Sequence, residues 1–359
     1  MKEILRYGIV GLFCLFVSGA VKGQENFVYK VDFGFYFDNL EASDPWEGSR
    51  TRFAVKLAPE AGIRLGEKHT FMVGADMVQD LGDSTFLTKA DYTVYYRFKN
   101  DNFGVYAGAF PRSNSIAKYP LSFFREEFNF FNSNIDGLML QYQNRRRTGY
   151  VELFIDWYGQ NQKLRIDEFM ICGSSEYTFL DKLFLAGINA SMNHYKNDYK
   201  LKDSYLFERN YYNVYVGTDL AKILPFLSEA RVTFGTMSSM ERKRFLEQES
   251  SWINHLGWQL DVALRWKGFG LRNAYYFGDS QMMYYRQYGG DLYWGSPFYQ
   301  SDRYNRTDIS WQWKKKFLSV KADFVFHYTP AGGVSTQQLF VLGFNLHQMV
   351  KNKKAVNID

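Results

Sequence analysis

The stretch FVYKVDFGFYFD, residues 27–38, carries an apolar or aromatic side chain at every odd position. Its even positions are mixed and include the charged residues Lys30, Asp32 and Asp38. Side chains of a β-strand point alternately to its two faces. The alternation therefore predicts a strand that has one apolar face and one polar face.

The same alternation recurs along the whole chain and predicts about 16 strands, within a range of roughly 14–18. Each predicted strand is near the roughly 9–11 residues that cross a bilayer when the strand is tilted. The predicted strand cores are 27–38, 52–65, 70–79, 88–98, 103–110, 135–143, 149–158, 168–179, 184–194, 210–219, 230–237, 256–266, 269–278, 305–313, 317–328 and 337–346.

The connections between these strands alternate in length. Tight ones such as 66–69, 99–102 and 267–268 alternate with long ones such as 111–134 and 279–304. Short turns on one rim and long loops on the other are typical of an outer-membrane β-barrel. We therefore expect an all-β fold, a transmembrane antiparallel up-and-down barrel.

The composition agrees with a lipid-facing surface. Aromatic residues make up 19% of the chain, yet the mean hydropathy is −0.36. If only every second residue of a strand faces lipid, the chain can be rich in aromatic residues while the polar residues between them keep the mean hydropathy low. A soluble two-sheet sandwich is the alternative, but it would need turns of similar length at both ends and a core with far more rings than two layers usually hold.

The first 23 residues have the composition of a secretory signal peptide. Lys2 and Arg6 precede the apolar run 7–17, and small residues follow it up to Gly23, where we expect cleavage, with Ala20 as the second choice. The run is too short to span a bilayer as a helix. The predicted organisation is a signal peptide 1–23, a barrel 24–346 and a polar periplasmic tail 347–359. The mature chain keeps one cysteine, Cys172, so it can form no internal disulfide.

On these features the chain resembles the outer-membrane β-barrel proteins of Gram-negative bacteria over residues 25–346, and its strand number resembles that of the general porins. The resemblance implies an outer-membrane location, surrounded by membrane lipid and lipopolysaccharide. One departure is the polar segment after the last strand, where such barrels often end on an aromatic residue.

A barrel of this width is too large for its own side chains to fill, which predicts a channel unless something plugs it. The inner face carries charges of both signs, so we expect weak selectivity among small hydrophilic solutes. The alternative is that these charges pair across strands and stiffen the wall. The predicted pore-lining residues are Lys30, Asp32, Arg52, Lys56, Glu60, Arg64, Asp76, Lys89, Asp91, Arg97, Glu152, Asp156, Asp261, Arg265, Arg306, Asp308, Lys321 and Asp323.

The segment 111–134 is the third connection on the long-loop rim. In this position it resembles the porin loop that folds inward and narrows the pore. Its charged side chains would then form a constriction; these are Arg112, Lys118, Arg125, Glu126 and Glu127. The alternative is an outward lid packed on neighbouring loops.

The sequence predicts no catalytic residue, no cofactor and no metal site, and its small net charge gives no reason to expect nucleic acid as a partner. A passive or weakly selective channel is the predicted function. A non-channel barrel that acts as a receptor, adhesin or secretion partner is an alternative, as is glycan capture by the aromatic segment 282–304. An outer-membrane hydrolase would need a site near His194 and His255. The sequence leaves open whether the barrel forms a homo-oligomer.

Overall fold

The computed structural model describes residues 27–162, 165–197, 205–245, 250–351 and 354–357. In these ranges, sixteen antiparallel strands pair in chain order. The last of them pairs with the first, from Phe27↔Val350 to Glu41↔Thr336, and so closes the barrel. The predicted all-β, up-and-down antiparallel barrel of about 16 strands is confirmed. The predicted signal peptide lies outside the described residues.

The strands are β1 (Phe27–Glu41), β2 (Arg50–Leu65), β3 (His69–Asp80), β4 (Lys89–Lys99), β5 (Phe103–Pro111), β6 (Asn134–Gln143), β7 (Gly149–Gln162), β8 (Arg165–Phe179), β9 (Phe184–Asn197), β10 (Tyr205–Asp219), β11 (Glu229–Phe245), β12 (Ile253–Trp266), β13 (Phe269–Gly278), β14 (Arg303–Lys315), β15 (Leu318–Thr329), β16 (Gly333–Lys351) and the short β17 (Lys354–Asn357). Single-turn helices lie at Arg112–Asn114, Phe128–Phe131, Tyr285–Tyr288, Gly289–Asp291 and Pro297–Gln300.

The apolar row of each strand faces outward. Phe71, Tyr92 and Leu153 are 51%, 57% and 48% exposed, whereas Tyr36 and Asp38 on the inner face are 3% and 0% exposed. A soluble sandwich would bury the apolar row, so that alternative is wrong. In hydrocarbon, backbone groups need partners within the protein, and a closed ladder supplies them.

The two rims differ as the sequence predicts. The tight turns include Lys267–Gly268, where both residues have positive φ, 45° and 90°, as two-residue hairpin turns of type I′ require. We call this the short-turn rim and the opposite one the long-loop rim.

No helix among the described residues is long and apolar enough to cross a membrane.

The wall is lower at the β5–β6 hairpin. β5 has 9 residues and β6 has 10, whereas β7 has 14. The β4–β5 ladder ends at Val94↔Ala109, and the β6–β7 ladder ends at Gly137↔Asp156. Above these pairs β5 and β6 still pair with each other, up to Pro111↔Asn134, but they no longer pair with β4 and β7. We call these two interruptions of the ladder the wall notch.

The last long strand continues beyond its predicted end at residue 346. β16 runs to Lys351, and β17 pairs with it. The physical reason is that β1 begins at Phe27, and residues 27–30 need partners on their β16 side, which 347–350 provide. The segment predicted as a polar tail from 347 therefore begins as part of the barrel.

Candidate functional site

Two long-loop segments, 112–133 and 279–302, fold into the barrel and fill its middle. In the first, the ring of Phe123 stacks on Tyr211 of β10 with centroids 5.1 Å apart, and Tyr119 meets Phe154 of β7 edge-on at 5.9 Å. Phe123 is 2% exposed. Aromatic side chains thus fix the segment against inner strand faces. The structure confirms that this segment folds into the lumen, so the alternative of an outward lid packed on neighbouring loops is wrong.

Charged groups fasten the same segment to the wall. Arg112 pairs with Asp156 of β7, and its Nε donates to the carbonyl of Asn132 at 3.0 Å. Arg50 Nη2 lies 2.8 Å from Glu127 Oε2, and Arg125 Nη2 lies 2.9 Å from Glu127 Oε1. Such partly buried, doubly paired carboxylates hold a loop more firmly than exposed ion pairs do.

Glu126 pairs with Arg306 of β14, which also contacts Asp308 at 2.6 Å. Burial by itself would raise the pKa of the Glu126 carboxyl, but the charge of Arg306 and hydrogen bonds to the carboxylate lower this pKa to about 2. Glu126 is therefore ionised at neutral pH and ties the loop to the wall. Lys118, the remaining charge predicted for the constriction, lines two cavities below the loop.

The second segment is anchored by tyrosines and a buried arginine. Tyr293 donates to Glu241 Oε2 at 2.6 Å and Tyr299 donates to Gln259 Oε1 at 2.6 Å. Arg209, 1% exposed, donates to the carbonyl of Leu292. Tyr293, Phe298 and Tyr299 are buried, so these rings are not free to stack on a glycan.

The two segments also bind each other through their backbones. The N–H of Arg125 donates to the carbonyl of Trp294 at 2.8 Å, and the N–H of Ser296 donates to the carbonyl of Leu121 at 2.8 Å. Trp294 packs beside Phe128, with ring centroids 5.3 Å apart. Together they form one body, which we call the lumenal plug (residues 112–133 and 279–302).

A buried polar chain beside the plug was missed in the sequence. Tyr304 OH lies 2.7 Å from His327 Nδ1, and His327 Nε2 lies 3.0 Å from Gln337 Oε1. Gln337 in turn donates to Asp38 at 2.6 Å, and Asp38 accepts from Arg50 at 3.3 Å. The only sequence signal was that these five residues fall on inner-face positions of five neighbouring strands, β14, β15, β16, β1 and β2.

The predicted pore-lining side chains all lie on inner strand faces. Most of them contact an opposite charge, as the pairing alternative expected. The pairs are Lys30 with Asp32 (2.9 Å) and Glu60 (3.3 Å), Arg52 with Asp80 (2.9 Å), Lys56 with Asp76 (3.0 Å), Lys89 with Asp91 (3.0 Å), Asp156 with Arg112, Asp261 with Arg272 (2.9 Å), Arg265 with Glu229 (3.2 Å), Arg306 with Asp308, and Lys321 with Asp323. The others bind polar groups: Arg64 the carbonyl of Glu67 (2.7 Å), Arg97 the hydroxyl of Thr70 (3.3 Å) and Glu152 the hydroxyl of Ser115 (2.5 Å). That any of them lines a conducting path stays a prediction.

Three cavities surround the plug. The outer cavity, about 490 Å³, is lined by long-loop ends of β2, β4, β6, β7 and β8. On the other side of the plug are the β1–β4 cavity, about 630 Å³, and the β10–β15 cavity, about 530 Å³. Arg112 and Arg125 line both the outer cavity and the β1–β4 cavity. These two arginines therefore stand where the plug divides the lumen.

The histidines do not assemble a hydrolytic site of the expected kind. His194 of β9 stacks on Phe169 of β8 at 4.7 Å, on the outward face. His255 of β12 faces inward opposite Ser239 of β11. The two histidines thus lie on opposite faces of the wall. Among the described residues, no group of three His, Cys, Asp or Glu side chains is placed to hold a metal ion.

Comparison with solved structures shows the same architecture. OprB of Pseudomonas putida has a TM-score of 0.50 and 10% identity, over 90% of this chain and 94% of that one. The outer membrane protein OpdK of Pseudomonas aeruginosa has a TM-score of 0.45 and 10% identity, over 90% and 99%. At such identities the likeness concerns the fold alone. The fold that they share with this chain is a closed antiparallel β-barrel.

Among curated proteins no match was found. One family model, described as lipid A 3'-O-deacylase-type, matches residues 22–353, which is nearly the whole chain. Its match includes every strand of the closed barrel and both segments of the plug. The protein therefore belongs to the lipid A 3'-O-deacylase-type family.

Proposed function

We propose that this protein is an outer-membrane channel for small hydrophilic solutes, narrowed by its lumenal plug. The observation that carries the proposal is the pair of charged inner cavities, about 630 and 530 Å³, that lie beyond the plug from the outer cavity. A barrel that only anchored a surface function would not need a polar interior on both sides. Paired charges of both signs favour weak selectivity by sign.

The plug sets the size limit of this proposed channel. Its ion pairs and aromatic contacts fill the middle of the lumen, so the barrel has no wide open pore there. Passive diffusion of small solutes is therefore the proposed mode, with outer-membrane lipid and lipopolysaccharide as surroundings. Whether barrels associate into a homo-oligomer does not alter this proposal.

Solute uptake into proteoliposomes tests the channel directly. We expect swelling in small sugars or amino acids at rates that fall steeply with solute size. Swelling no faster than in protein-free liposomes, with a barrel shown by circular dichroism to be folded, would reject the channel and favour a receptor, adhesin or secretion-partner role.

A second candidate is favoured by family membership: hydrolysis of an acyl ester of lipid A. The outward His194 lies directly opposite Glu208 of β10 in the strand register. It is near the long-loop rim, where esters of outer-leaflet lipids come within reach. In this candidate the imidazole takes a proton from water, the water oxygen attacks the ester carbonyl, and the products are a fatty acid and an alcohol.

Mass spectrometry of lipid A incubated with the purified protein tests this candidate. Release of a fatty acid by the wild type, lost in His194→Ala and kept in His255→Ala, would support it. His255 is the matched control because it faces the lumen. No release by the wild type, or release unchanged in His194→Ala, would dispose of a His194-centred hydrolase.

A further inference from the structure

Three neighbouring turns of the short-turn rim carry most of its basic side chains. They are residues 144–148 between β6 and β7, 180–183 between β8 and β9, and 220–228 between β10 and β11. Together they hold five basic residues and one acidic residue. The other short turns hold three basic and two acidic residues; these turns are 66–68, 100–102, 267–268 and 316–317. The positive charge of this rim is therefore concentrated on one side of the barrel.

Backbone hydrogen bonds join the three turns. The N–H of Thr178, near the end of β8, donates to the carbonyl of Thr148 at 2.6 Å. The N–H of Asp219, at the end of β10, donates to the carbonyl of Leu183 at 2.8 Å. The turns therefore form one surface, which we call the basic rim patch (residues 144–148, 180–183 and 220–228).

The basic side chains of this patch have no counter-charge to pair with in the part of the chain that the structure describes. All of them are exposed, and none forms an ion pair or a side-chain hydrogen bond with a described residue; they are Arg145, Arg146, Arg147, Lys182 and Lys222. Lys99, the last residue of β4, lies within range of the charges of Arg97 and Arg147. Because Asp181 alone cannot balance this crowd of like charges, an anion from outside the protein would relieve their repulsion.

Apolar side chains project from the same patch. Leu180, Ile223 and Phe226 are 69%, 61% and 64% exposed. They continue the lipid-facing surface of the wall, since Phe179 and Phe184 stack beside the turn 180–183 with ring centroids 6.0 Å apart. Apolar groups next to exposed basic groups are typical of a surface that lies in the headgroup region of a membrane.

We propose that the basic rim patch binds an anionic phospholipid in the periplasmic leaflet of the outer membrane. Short turns lie on the periplasmic side of outer-membrane barrels, so this rim faces the phospholipid leaflet. The lipid phosphate accepts hydrogen bonds from the arginines of 145–147, and the acyl chains contact Leu180, Ile223 and Phe226. This inference does not depend on the channel or on the hydrolase candidate, because the patch lies on the opposite rim from His194.

Native mass spectrometry of the purified protein tests the patch, because it resolves the barrel with one bound lipid from the free barrel. Phosphatidylglycerol and phosphatidylethanolamine with the same acyl chains are titrated separately. We expect phosphatidylglycerol to bind about fivefold more tightly, since its headgroup keeps a net negative charge. Equal affinities would overturn the proposal and leave the patch to an acidic water-soluble partner.

Two triple variants with the same loss of charge locate the site. The first combines Arg145→Gln, Arg146→Gln and Arg147→Gln. The control removes one exposed lysine from each of three other turns and combines Lys68→Gln, Lys267→Gln and Lys316→Gln. We expect the first variant to bring the two lipids within about twofold of each other and the control to keep the preference. Equal loss of preference in both variants would show a general effect of net charge and reject the patch.

The apolar part of the site has its own test. Ile223→Ser combined with Phe226→Ser is expected to weaken both lipids about fivefold and to leave their ratio unchanged, because the acyl chains are common to both. Excess glycerol 1-phosphate, the free headgroup, is expected not to displace phosphatidylglycerol. Unchanged lipid affinity in the double variant, or displacement by glycerol 1-phosphate at equal concentration, would mean that the patch binds soluble anions and would reject a lipid as its ligand.

Discussion

At the scale of single residues, Glu126 is the most informative position in the plug. Its carboxylate pairs with Arg306, which is 3% exposed and keeps Asp308 as a second partner. We expect Glu126→Gln to lower the free energy of unfolding by about 2 kcal/mol, less than for a fully orphaned buried charge. Urea unfolding in detergent measures this change. The control is Glu67→Gln, an exposed residue in a tight turn; equal losses in both variants would contradict the assigned role.

The pKa of the Glu126 carboxyl predicts how the plug responds to acid. Burial opposes ionisation, but Arg306 holds the pKa of Glu126 at about 2, below its ordinary value of 4.5. The pair therefore contributes stability above pH 4.5, and this contribution is lost as the pH falls through about 2. We expect channel conductance, corrected for bulk conductivity, to be constant from pH 7 to pH 4 and to rise only in stronger acid. A rise centred near pH 4.5 would show that Glu126 is not paired.

Single residues also show the limit of sequence analysis. Lys30, Asp32 and Glu60 follow from alternation, because strand geometry alone puts them on the inner face. Arg209 and His327 do not stand out, since their importance comes from loop atoms such as the Leu292 carbonyl. No local pattern reports that contact.

At the scale of elements, the contact between the two plug segments depends on Gly295. A Cβ added there would lie 1.9 Å from the carbonyl oxygen of Ser122, which is backbone and cannot move freely. We expect Gly295→Ala to push the segments apart and cost about 1–3 kcal/mol. Gly290→Ala is the matched control in the same segment, because its nearest atom would be Arg125 Nη2 at 3.7 Å.

Protease cleavage of the folded protein within 112–133 measures this separation. Faster cleavage in Gly295→Ala than in Gly290→Ala is the expected result. Equal rates in the two variants would mean that the segments do not depend on their mutual backbone hydrogen bonds.

The strands could be predicted from the sequence one by one. Of the plug, the sequence indicated only that 112–133 folds inward, and not that 279–302 joins it. Each strand carries its own alternation, but residues 112–133 and 279–302 are far apart in sequence and meet only after the barrel closes. The aromatic content of 282–304 indicated that this segment packs against other residues, but it did not indicate that these include the segment 112–133. The end of β16 was misjudged because its extension is set by the start of β1, a contact between chain ends.

At the scale of the whole molecule, the barrel reverses the arrangement of a soluble protein, because its apolar side chains face outward and its charged side chains face inward. Outward rings such as Phe71 and Tyr92 are stable only against lipid, and the inner face is wet and charged. Closure of sixteen strands gives a lumen that side chains alone do not fill. The two long segments fill its centre, which divides the interior into one outer and two inner cavities.

The central claim is a closed barrel whose conductance is limited by the lumenal plug. Single-channel recording in planar bilayers tests it most directly, with wild type beside a variant in which residues 115–131 are replaced by a short Gly-Ser linker. A similar replacement of 82–86, in the connection between β3 and β4, is the control. We predict a small conductance for wild type and control and a several-fold larger one without 115–131. Equal conductance in all three proteins would contradict the account.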